Sequence, residues 1–330
     1  MSIPPANSPA AVTVVDITDP TCAGEGTELI DLNAVQLHAA PFHARRIIVR
    51  AAAACVLFHS TNHRVRTCTK VNEGLIAYVL FHPRAEGTIN GIPVRPGLML
   101  AIEPGIEINV VTNAHWETMT YLFPPDLIRA QVNVRQRNHE FSMPRGVEML
   151  EVCKNSAQQL FNRGKLLVET AAEHASSFNE HQDDLAAIEC DLVENLLATL
   201  GTTKSMKISG NDRTRQRRSQ IVKIAEDFAL SQNGTTLYVA DLCQVTKVSE
   251  RTLEYAFQEI MGLTPVAFLI RLRLHRVRQN LLLARPGSTT ISREALKWGF
   301  WHFGEFSHAY FNCFGELPSD TLLRKEAQEA

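Results

Sequence analysis

Two sets of polar residues lie in the last third of the chain, each within a segment whose apolar spacing predicts a short helix. The first set is Arg251, Thr252, Glu254 and Tyr255, and the second is His302, Gly304, Glu305, Ser307 and His308. Guanidinium, hydroxyl, carboxylate and imidazole groups can contact base edges and phosphate oxygens through hydrogen bonds. The chemistry that these positions offer is therefore recognition of a nucleic acid, provided that both sets face outward.

The apolar residues around the two sets recur with the same spacing. One copy is Leu253, Phe257, Gly262 and Pro265, and the other, 53 residues later throughout, is Phe306, Tyr310, Gly315 and Pro318. A glycine and a proline after an apolar helical period mark the end of a helix. The repeat therefore indicates that the same helical unit is used twice.

The segment before each copy predicts a helix-turn-helix. Each has a small residue in a short helix, Cys243 or Ala295, and then a tight turn and an apolar residue, Val248 or Phe300. The small residue allows two helices to cross closely, and the apolar residue fills the corner between them. The second helix of each unit is then free to lie in a major groove of DNA.

A long helix from Pro265 to about Ala284 should join the two units. Twenty residues at about 1.5 Å each span roughly 30 Å, close to the ~34 Å between successive major grooves on one DNA face. The basic residues of this helix are Arg271, Arg273, His275, Arg276 and Arg278. They can meet phosphates, or they can pair with Glu250, Glu254 or Glu259.

These stretches resemble the AraC/XylS family of transcription regulators. The resemblance extends from Arg217 to about Arg324 and rests on Val248-Ser-Glu-Arg-Thr-Leu253, Gly262-Leu-Thr-Pro265, Trp298-Gly-Phe-Trp-His302 and Phe314-Gly-Glu-Leu-Pro-Ser319. It implies a seven-helix DNA-binding domain, preceded by an effector-sensing or dimerising domain with a cupin-like barrel. It also implies promoter DNA and RNA polymerase as partners, and an activator more often than a repressor.

Two residues depart from the family pattern. Lys247 occupies the turn of the first unit, where such turns usually carry glycine, so backbone strain is expected there. Tyr255 lies where the first recognition helix of the family often has a basic residue. Because a tyrosine cannot form a bidentate pair with guanine, the contact implied at this position is in doubt.

Residues from about 40 to 125 are predicted to form strands. Short segments rich in β-branched or aromatic residues are separated by turn residues at roughly 8–12-residue spacing, which is typical of a sandwich or barrel. They are residues 46–50, 54–58, 75–81, 98–102, 106–111 and 117–123. Asn90-Gly91 predicts a hairpin, because both central residues of a type I′ turn need a positive φ.

The predicted fold is an α+β chain with a cupin-like barrel and helices before an all-α domain with two helix-turn-helix motifs. The predicted divisions are a disordered lead-in at 1–35, a sensing or dimerisation domain at 36–200, a linker at 201–216 and a DNA-binding domain at 217–330. The linker is assigned from its polar and basic composition.

Aromatic and basic residues in the β-rich half are candidates for an effector pocket. They are Arg66, Tyr78, His82, Trp116 and Tyr121. Barrels of this size can hold one small ligand in their interior. The alternative is a packed barrel that only dimerises.

An apolar stripe on a later helix predicts a dimer interface. Its residues are Leu185, Ile188, Leu192, Leu196 and Leu200, at the 3-4-4-4 spacing of an amphipathic helix. The sequence offers no obvious partner helix within the chain. Pairing of two chains and internal packing are both open.

The charge distribution is uneven, although the chain of 330 residues has a formal net charge of −2. Residues 211–330 contain 16 lysines and arginines against 13 acidic residues, an excess that favours contact with a polyanion. The seven cysteines have no C-x-x-C spacing, so free thiols and a cytoplasmic location are expected. No apolar run is long enough for a transmembrane helix, and the first residues do not resemble a secretory signal.

A metal-dependent enzyme is the main rival class. Cupin enzymes hold their ion with an H-x-H pair, which this sequence lacks, and His59, His63, His82 and His115 are scattered. Neither a nucleophile elbow nor a phosphate-binding glycine loop occurs. The sequence therefore predicts a non-enzyme without cofactor or metal; a binding protein or a cupin-type enzyme with an appended DNA module is the alternative.

Overall fold

The computed structural model describes residues 10–20, 23–24, 28–38, 42–134, 142–180, 182–232, 237–285 and 287–324. In this part of the chain a β-rich domain is followed by an all-helical domain, which confirms the α+β class.

The strands are β1 (Val12–Ile17), β2 (Ile30–Gln36), β3 (Ala44–Ala51), β4 (Ala54–Thr61), β5 (Val65–Val71), β6 (Ile76–Phe81), β7 (Gly87–Ile89), β8 (Ile92–Pro93), β9 (Leu98–Ile102), β10 (Glu107–Thr112), β11 (Trp116–Phe123), β12 (Val147–Glu151) and β13 (Lys204–Ser205). The helices are α1 (Pro125–Val134), α2 (Lys154–Glu173), α3 (Ala175–Glu180), α4 (Gln182–Leu200), α5 (Gly210–Ser231), α6 (Val239–Thr246), α7 (Glu250–Met261), α8 (Pro265–Leu283), α9 (Ile291–Lys297), α10 (Phe303–Phe314) and α11 (Pro318–Arg324).

The strands form two antiparallel sheets. The larger has the order β1-β3-β4-β11-β6-β9-β12-β13, and the smaller has the order β2-β5-β10-β7-β8. Neither sheet closes on itself over the described residues, so the predicted cupin-like barrel is not confirmed. The Asn90-Gly91 hairpin is confirmed, with φ values of 49° and 82° between β7 and β8.

The central strands of the larger sheet contribute to two cores, because successive side chains point to opposite faces. In β6, Tyr78 and Leu80 pack with α2 and α4, whereas Ala77 and Val79 pack with the smaller sheet. The β-rich domain therefore has three layers: helices, the larger sheet and the smaller sheet.

The lead-in predicted to be disordered at 1–35 is wrong for two segments. β1 pairs with β3, and β2 pairs with β5 from Ile30 to Gln36. Both strands are stabilised by pairing with distant strands, which short segments do not reveal locally. The predicted linker at 201–216 is also too long, since α5 begins at Gly210 with a capping box formed by Ser209 and Asp212.

The dimer interface predicted for the apolar stripe is wrong for Leu192 and Leu196. Both are buried in the core formed by α2, α4 and the larger sheet of the same chain. Leu185 and Ile188 are half-buried, so only this end of the stripe is available to another chain without unpacking the domain.

The helical domain repeats one unit. α7 and α10 have the same length, and both their first and their last residues are 53 positions apart. Gly262 and Gly315 end these helices in the left-handed conformation, with φ values of 68° and 73°. Glycine is favoured there because it has no Cβ to collide with the preceding turn. The predicted internal repeat is confirmed.

The two domains meet across the smaller sheet. Arg66 of β5, 1% exposed, donates to the Glu226 carboxylate of α5 at 3.0 and 3.2 Å and to the Asn109 side chain at 2.5 Å. Nε2 of His275 in α8 accepts the backbone N–H of Gln36 at 3.1 Å. The helical domain is thus attached by buried polar contacts as well as by apolar packing.

No helix of the described segments is long and apolar enough to cross a membrane. Among the same residues, no group of three or more His, Cys, Asp or Glu side chains is arranged to hold a metal ion. The six described cysteines are free thiols, and Cys22 lies outside the described residues.

Candidate nucleic-acid interface

The first helix-turn-helix consists of α6 and α7. Leu253 and Phe257 are fully buried beneath α7, and Cys243 and Val248 are half-buried at the corner. The turn passes through Lys247, whose φ of 56° confirms the expected left-handed conformation. This conformation costs a non-glycine residue about 1–2 kcal/mol. The backbone N–H of Lys247 donates to the Cys243 carbonyl, which closes the turn.

The start of α7 determines which side chains lie on its first turn. Ser249 is the N-cap, and its hydroxyl accepts the backbone N–H of Thr252 at 3.3 Å. The cap satisfies an N–H that the helix cannot satisfy itself. It places Arg251, Thr252, Glu254 and Tyr255 on the exposed face, as predicted.

Tyr255 has a role that its sequence position does not suggest. The Arg251 guanidinium lies over the Tyr255 ring, 5.6 Å from its centre, and its Nη2 is 3.4 Å from the Tyr255 hydroxyl. A cation over an aromatic face is stabilised by the ring quadrupole. Tyr255 therefore orients the one exposed arginine of α7 instead of replacing a basic contact.

The second helix-turn-helix consists of α9 and α10. Phe306 and Tyr310 are buried beneath α10, while His302, Gly304, Glu305 and His308 are exposed, and Ser307 is half-buried. The turn between the helices passes through Gly299, with φ 79°, at the place that Lys247 occupies in the first unit. The two predicted sets of polar residues thus lie on the outer faces of two similarly built corners.

Three exposed aromatic residues of the second unit were not predicted. Trp301 is 69% exposed, Phe303 is 43% exposed and Phe311 is 50% exposed. Their signal in the sequence is that the segment 301–311 contains more aromatic residues than a helix of this length needs for one buried face. α10 itself contains neither lysine nor arginine.

The arginines of α8 have partners within the chain. Arg271 donates to the Gln36 carbonyl at 3.4 Å, and Arg273 donates to the Leu237 carbonyl at the same distance. Arg278 is buried against Asp19 and Glu316. The partners of these three arginines are not the glutamates of α7, whereas contact of the α8 arginines with phosphate stays a prediction.

Glu259 of α7 is paired with α5 instead. Arg218 donates to its carboxylate at 2.5 Å, and Arg215 does so at 3.4 Å. These contacts hold the back of the first unit against α5.

The predicted effector residues do not share one pocket. Arg66 points to α5, and the Tyr121 hydroxyl donates to the Leu160 carbonyl of α2 at 2.7 Å. Tyr78 is the register partner of Tyr121 and lies on the same helix-facing side of the sheet. The structure does not bring these three residues into one pocket with Trp116. Tyr121 lies five positions after Trp116 in the same strand and therefore faces the opposite side of the larger sheet, together with its partner Tyr78. Arg66 faces the domain interface instead.

Trp116 lines a cavity of about 90 Å³ between the two sheets. His82 lies outside it, in a polar cleft of about 830 Å³ that Trp116 also borders. The cavity wall is mostly apolar, but it includes Arg46, which is 2% exposed, and His59. Burial, and then the charge of Arg46, lower the pKa of His59 to about 3, so its ring is neutral at pH 7. Nδ1 of His59 has no hydrogen-bond partner within the described residues.

The helical domain matches a known family. Residues 242–324 match the model of a helix-turn-helix domain. The "Probable thc operon regulatory protein" of Rhodococcus erythropolis is 36% identical over 102 residues, which are 31% of each chain. The "XylDLEGF operon transcriptional activator 1" of Pseudomonas putida is 26% identical over 234 residues, 70% of this chain and 66% of its own. These matches agree with the resemblance to AraC/XylS family regulators that the sequence motifs indicate.

The aligned region spans about a third of the first of these AraC/XylS relatives and just under two thirds of the second. A crystal structure of a transcriptional regulator with an AraC-type DNA-binding domain from Chromobacterium violaceum is 28% identical. It covers 34% of this chain and 96% of its own, with a TM-score of 0.31. The resemblance to the family rests on the sequence matches.

Proposed function

We propose that this AraC/XylS chain is a sequence-specific DNA-binding transcription activator with an effector-sensing amino-terminal domain. The observation that carries the proposal is the pair of helix-turn-helix units, whose recognition helices α7 and α10 present exposed polar faces 53 residues apart in sequence. Helices in this setting contact base edges with their amino-terminal residues. Promoter DNA is the partner, and RNA polymerase is the machinery that an activator recruits.

The helical domain should bind DNA as a fragment beginning at Ser209, so that the cap of α5 is kept. We expect its affinity to fall steeply with salt, because phosphate contacts release counterions. Titration of a selected duplex and a scrambled duplex at several salt concentrations measures this. A helical fragment with equal, salt-insensitive affinity for both duplexes contradicts the proposal.

Two side chains test direct recognition of bases. Arg251→Ala and His308→Ala should each weaken binding by about 1–3 kcal/mol and relax the preference at one base pair only. Arg285→Ala, also exposed but outside both recognition helices, is the matched control. Equal losses on specific and random DNA would assign the residue to a phosphate contact.

Effector sensing is proposed for the cavity between the sheets, because the smaller sheet alone separates it from the helical domain. Thr67 and Thr69 of β5 line the cavity, whereas Arg66 of the same strand holds Glu226 of α5. In β10, Ile108 faces the cavity and Asn109 faces the domain interface. A ligand that shifts these strands therefore changes the attachment of the DNA-binding domain, provided that it binds one arrangement more tightly.

The ligand proposed for this cavity has a small apolar body and one negatively charged or accepting group for Arg46. A body of about three or four non-hydrogen atoms fits, judged against the roughly 150 Å³ cavity that holds the six of benzene. Short-chain carboxylates should raise the melting temperature of the full chain more than the matching neutral amides. Arg46→Met should abolish the difference, whereas Arg45→Gln, whose side chain is exposed, should keep it. Equal increases in melting temperature with the carboxylates and with the amides would exclude a site that recognises negative charge.

Homodimerisation is proposed only through Leu185 and Ile188, the two half-buried residues at the amino-terminal end of the apolar stripe on α4. Ile188 borders a groove between α2 and α4, so a partner helix could reach it. Leu185→Glu should separate the chains in sedimentation velocity, and Ala198→Glu, exposed on the same helix, is the control. A wild-type protein that sediments as a monomer at micromolar concentration, with and without DNA, excludes the dimer.

The enzyme alternative receives no support from the AraC/XylS relatives, which are named as operon regulators. The proposal is therefore a non-enzymatic regulator. Assay of the purified chain for bound stoichiometric metal together with turnover would favour the alternative.

A further inference from the structure

The second recognition helix begins among exposed aromatic side chains. Trp301 lies two residues before α10, beside the N-cap His302, and Phe303 is the first residue of the helix. Trp301 is among the most exposed large apolar residues of the described chain. Phe300, the preceding residue, packs against Phe306 with ring centres 5.0 Å apart, which anchors the turn that carries them.

The charge on this helix differs from that of an ordinary DNA-binding helix. α10 has one acidic residue, Glu305, and no lysine or arginine. The outward stripe of the helix is Gly304, His308 and Phe311, at spacings of four and three residues. Neither phosphate neutralisation nor a bidentate arginine–guanine contact is available from α10.

We propose that the second unit recognises thymine by apolar contact between Trp301, Phe303 and thymine 5-methyl groups in the major groove. The inference rests on the proposed function and names the bases that this helix selects. Side chains at the amino-terminal end of a recognition helix meet base edges. The thymine methyl is the one apolar group that base pairs present in the major groove. Trp301 and Phe303 lie at the amino-terminal end of α10, which is the end that meets base edges in a helix-turn-helix, so DNA is the occupant that covers them.

Replacement of thymine by uracil tests the proposal, because it removes only the methyl group and keeps every hydrogen-bonding atom of the base pair. A duplex is first selected from random sequence with the full-length protein. Each thymine of the enriched site is then replaced singly by uracil, and affinities are measured at one salt concentration. Loss of one buried methyl should weaken wild-type binding about fourfold, from the ~0.8 kcal/mol that burial of one CH₂ contributes.

The double variant Trp301→Ala/Phe303→Ala should bind the thymine and uracil duplexes equally at those positions. Both side chains are exposed, so the helical content of the variant should stay unchanged. Leu323→Ala, which removes an exposed apolar side chain from α11, is the matched control and should keep the fourfold discrimination.

Three results would overturn the inference while leaving sequence-specific binding intact. Wild-type affinity could be insensitive to uracil at every position. The double variant could still bind the thymine duplex more tightly than the uracil duplex, which would assign the methyl contact to other residues. The double variant could also keep both affinity and discrimination while losing activation in vitro, which would assign the aromatic surface to a protein partner. Failure to enrich any site, in contrast, contradicts the proposed function itself.

Discussion

The two helix-turn-helix units share a backbone plan but differ in what surrounds them. The core of the first unit includes Val35, Leu37 and Val111 of the β-rich domain. The described core of the second unit contains only residues from Leu274 onward. The first unit is therefore packed as an extension of the β-rich domain, whereas the second has its own small core.

The polar contacts of the second unit with the β-rich domain are few and close to α8. Arg278 joins Asp19 at 2.5 Å and Glu316 at 2.7 Å, and its guanidinium lies 4.5 Å from the centre of the Phe314 ring. The difference teaches that one repeated motif can be packed firmly against another domain in one copy and can have a core of its own in the other. The predictions below test that distinction.

The largest effect is expected from the cores. Phe306→Ala should destabilise the second unit by about 3–5 kcal/mol, and Leu253→Ala should destabilise the first by about 2–5 kcal/mol. For Phe306→Ala, hydrogen exchange should show loss of protection in α9, α10 and the end of α8 that shares their core, and no loss in the β-rich domain. For Leu253→Ala the loss should spread into α5 and β2, which share the core. Identical exchange patterns for the two variants would remove the distinction between anchored and independent units.

The ion pair at the domain interface should be nearly as important. Arg66→Met leaves the buried Glu226 carboxylate without its partner, which typically costs about 3–5 kcal/mol. The double variant Arg66→Met/Glu226→Leu removes both charges and should recover most of the loss in urea unfolding. Arg45→Gln, which removes an exposed ion pair with Asp16, should change stability by less than about 1 kcal/mol. A double variant no more stable than Arg66→Met would show that lost packing, and not an unpaired charge, is responsible.

Acid should weaken the α8 contact through His275. Burial is the main cause that lowers the pKa of His275 to about 3; Arg271, Arg276 and Arg278 lower it further, whereas Asp19 raises it. The folded state therefore holds the neutral ring, so its contribution is full above about pH 6.5 and is lost as the pH falls toward 3, by at most ~1.4 kcal/mol per pH unit.

His275→Gln keeps an acceptor for the Gln36 N–H but cannot be protonated in this range. Its melting temperature should fall less than that of the wild type between pH 6.5 and 4.5. Because His59 titrates in the same sense in both proteins, the difference between the two curves isolates His275. Superimposable curves would contradict the assignment.

The smallest effect concerns the two turns. Lys247 and Gly299 occupy equivalent left-handed positions, and only glycine adopts them without strain. Lys247→Gly should stabilise the chain by roughly 0.5–1 kcal/mol, since the relief of ~1–2 kcal/mol is partly offset by the entropy of glycine. Gly299→Lys should destabilise the chain. Chemical denaturation measures both, and a destabilising Lys247→Gly would mean that the lysine side chain has a compensating contact.

The sequence by itself determined the helical domain, its internal repeat and its resemblance to the AraC/XylS family. These features rest on interactions within about 20 residues: the apolar period of α7 and α10, the caps at Ser249 and Thr264, and the glycines that end the helices. Local interactions of this kind leave a direct trace in residue type and spacing. The exposed positions of the recognition helices follow from the same period.

Only the tertiary structure decided which surfaces of the β-rich half meet. The alternation of side chains along a strand separates two faces, but it does not show which face packs against helices and which packs against the other sheet. The side of the sheet on which Tyr78 and Tyr121 lie therefore cannot be predicted from the sequence. An apolar stripe such as Leu192 and Leu196 likewise does not show whether its partner is the same chain or another. The strand β1 forms because β3 offers it hydrogen bonds from residues 27 to 37 positions away, a contact that exists only once the chain has folded.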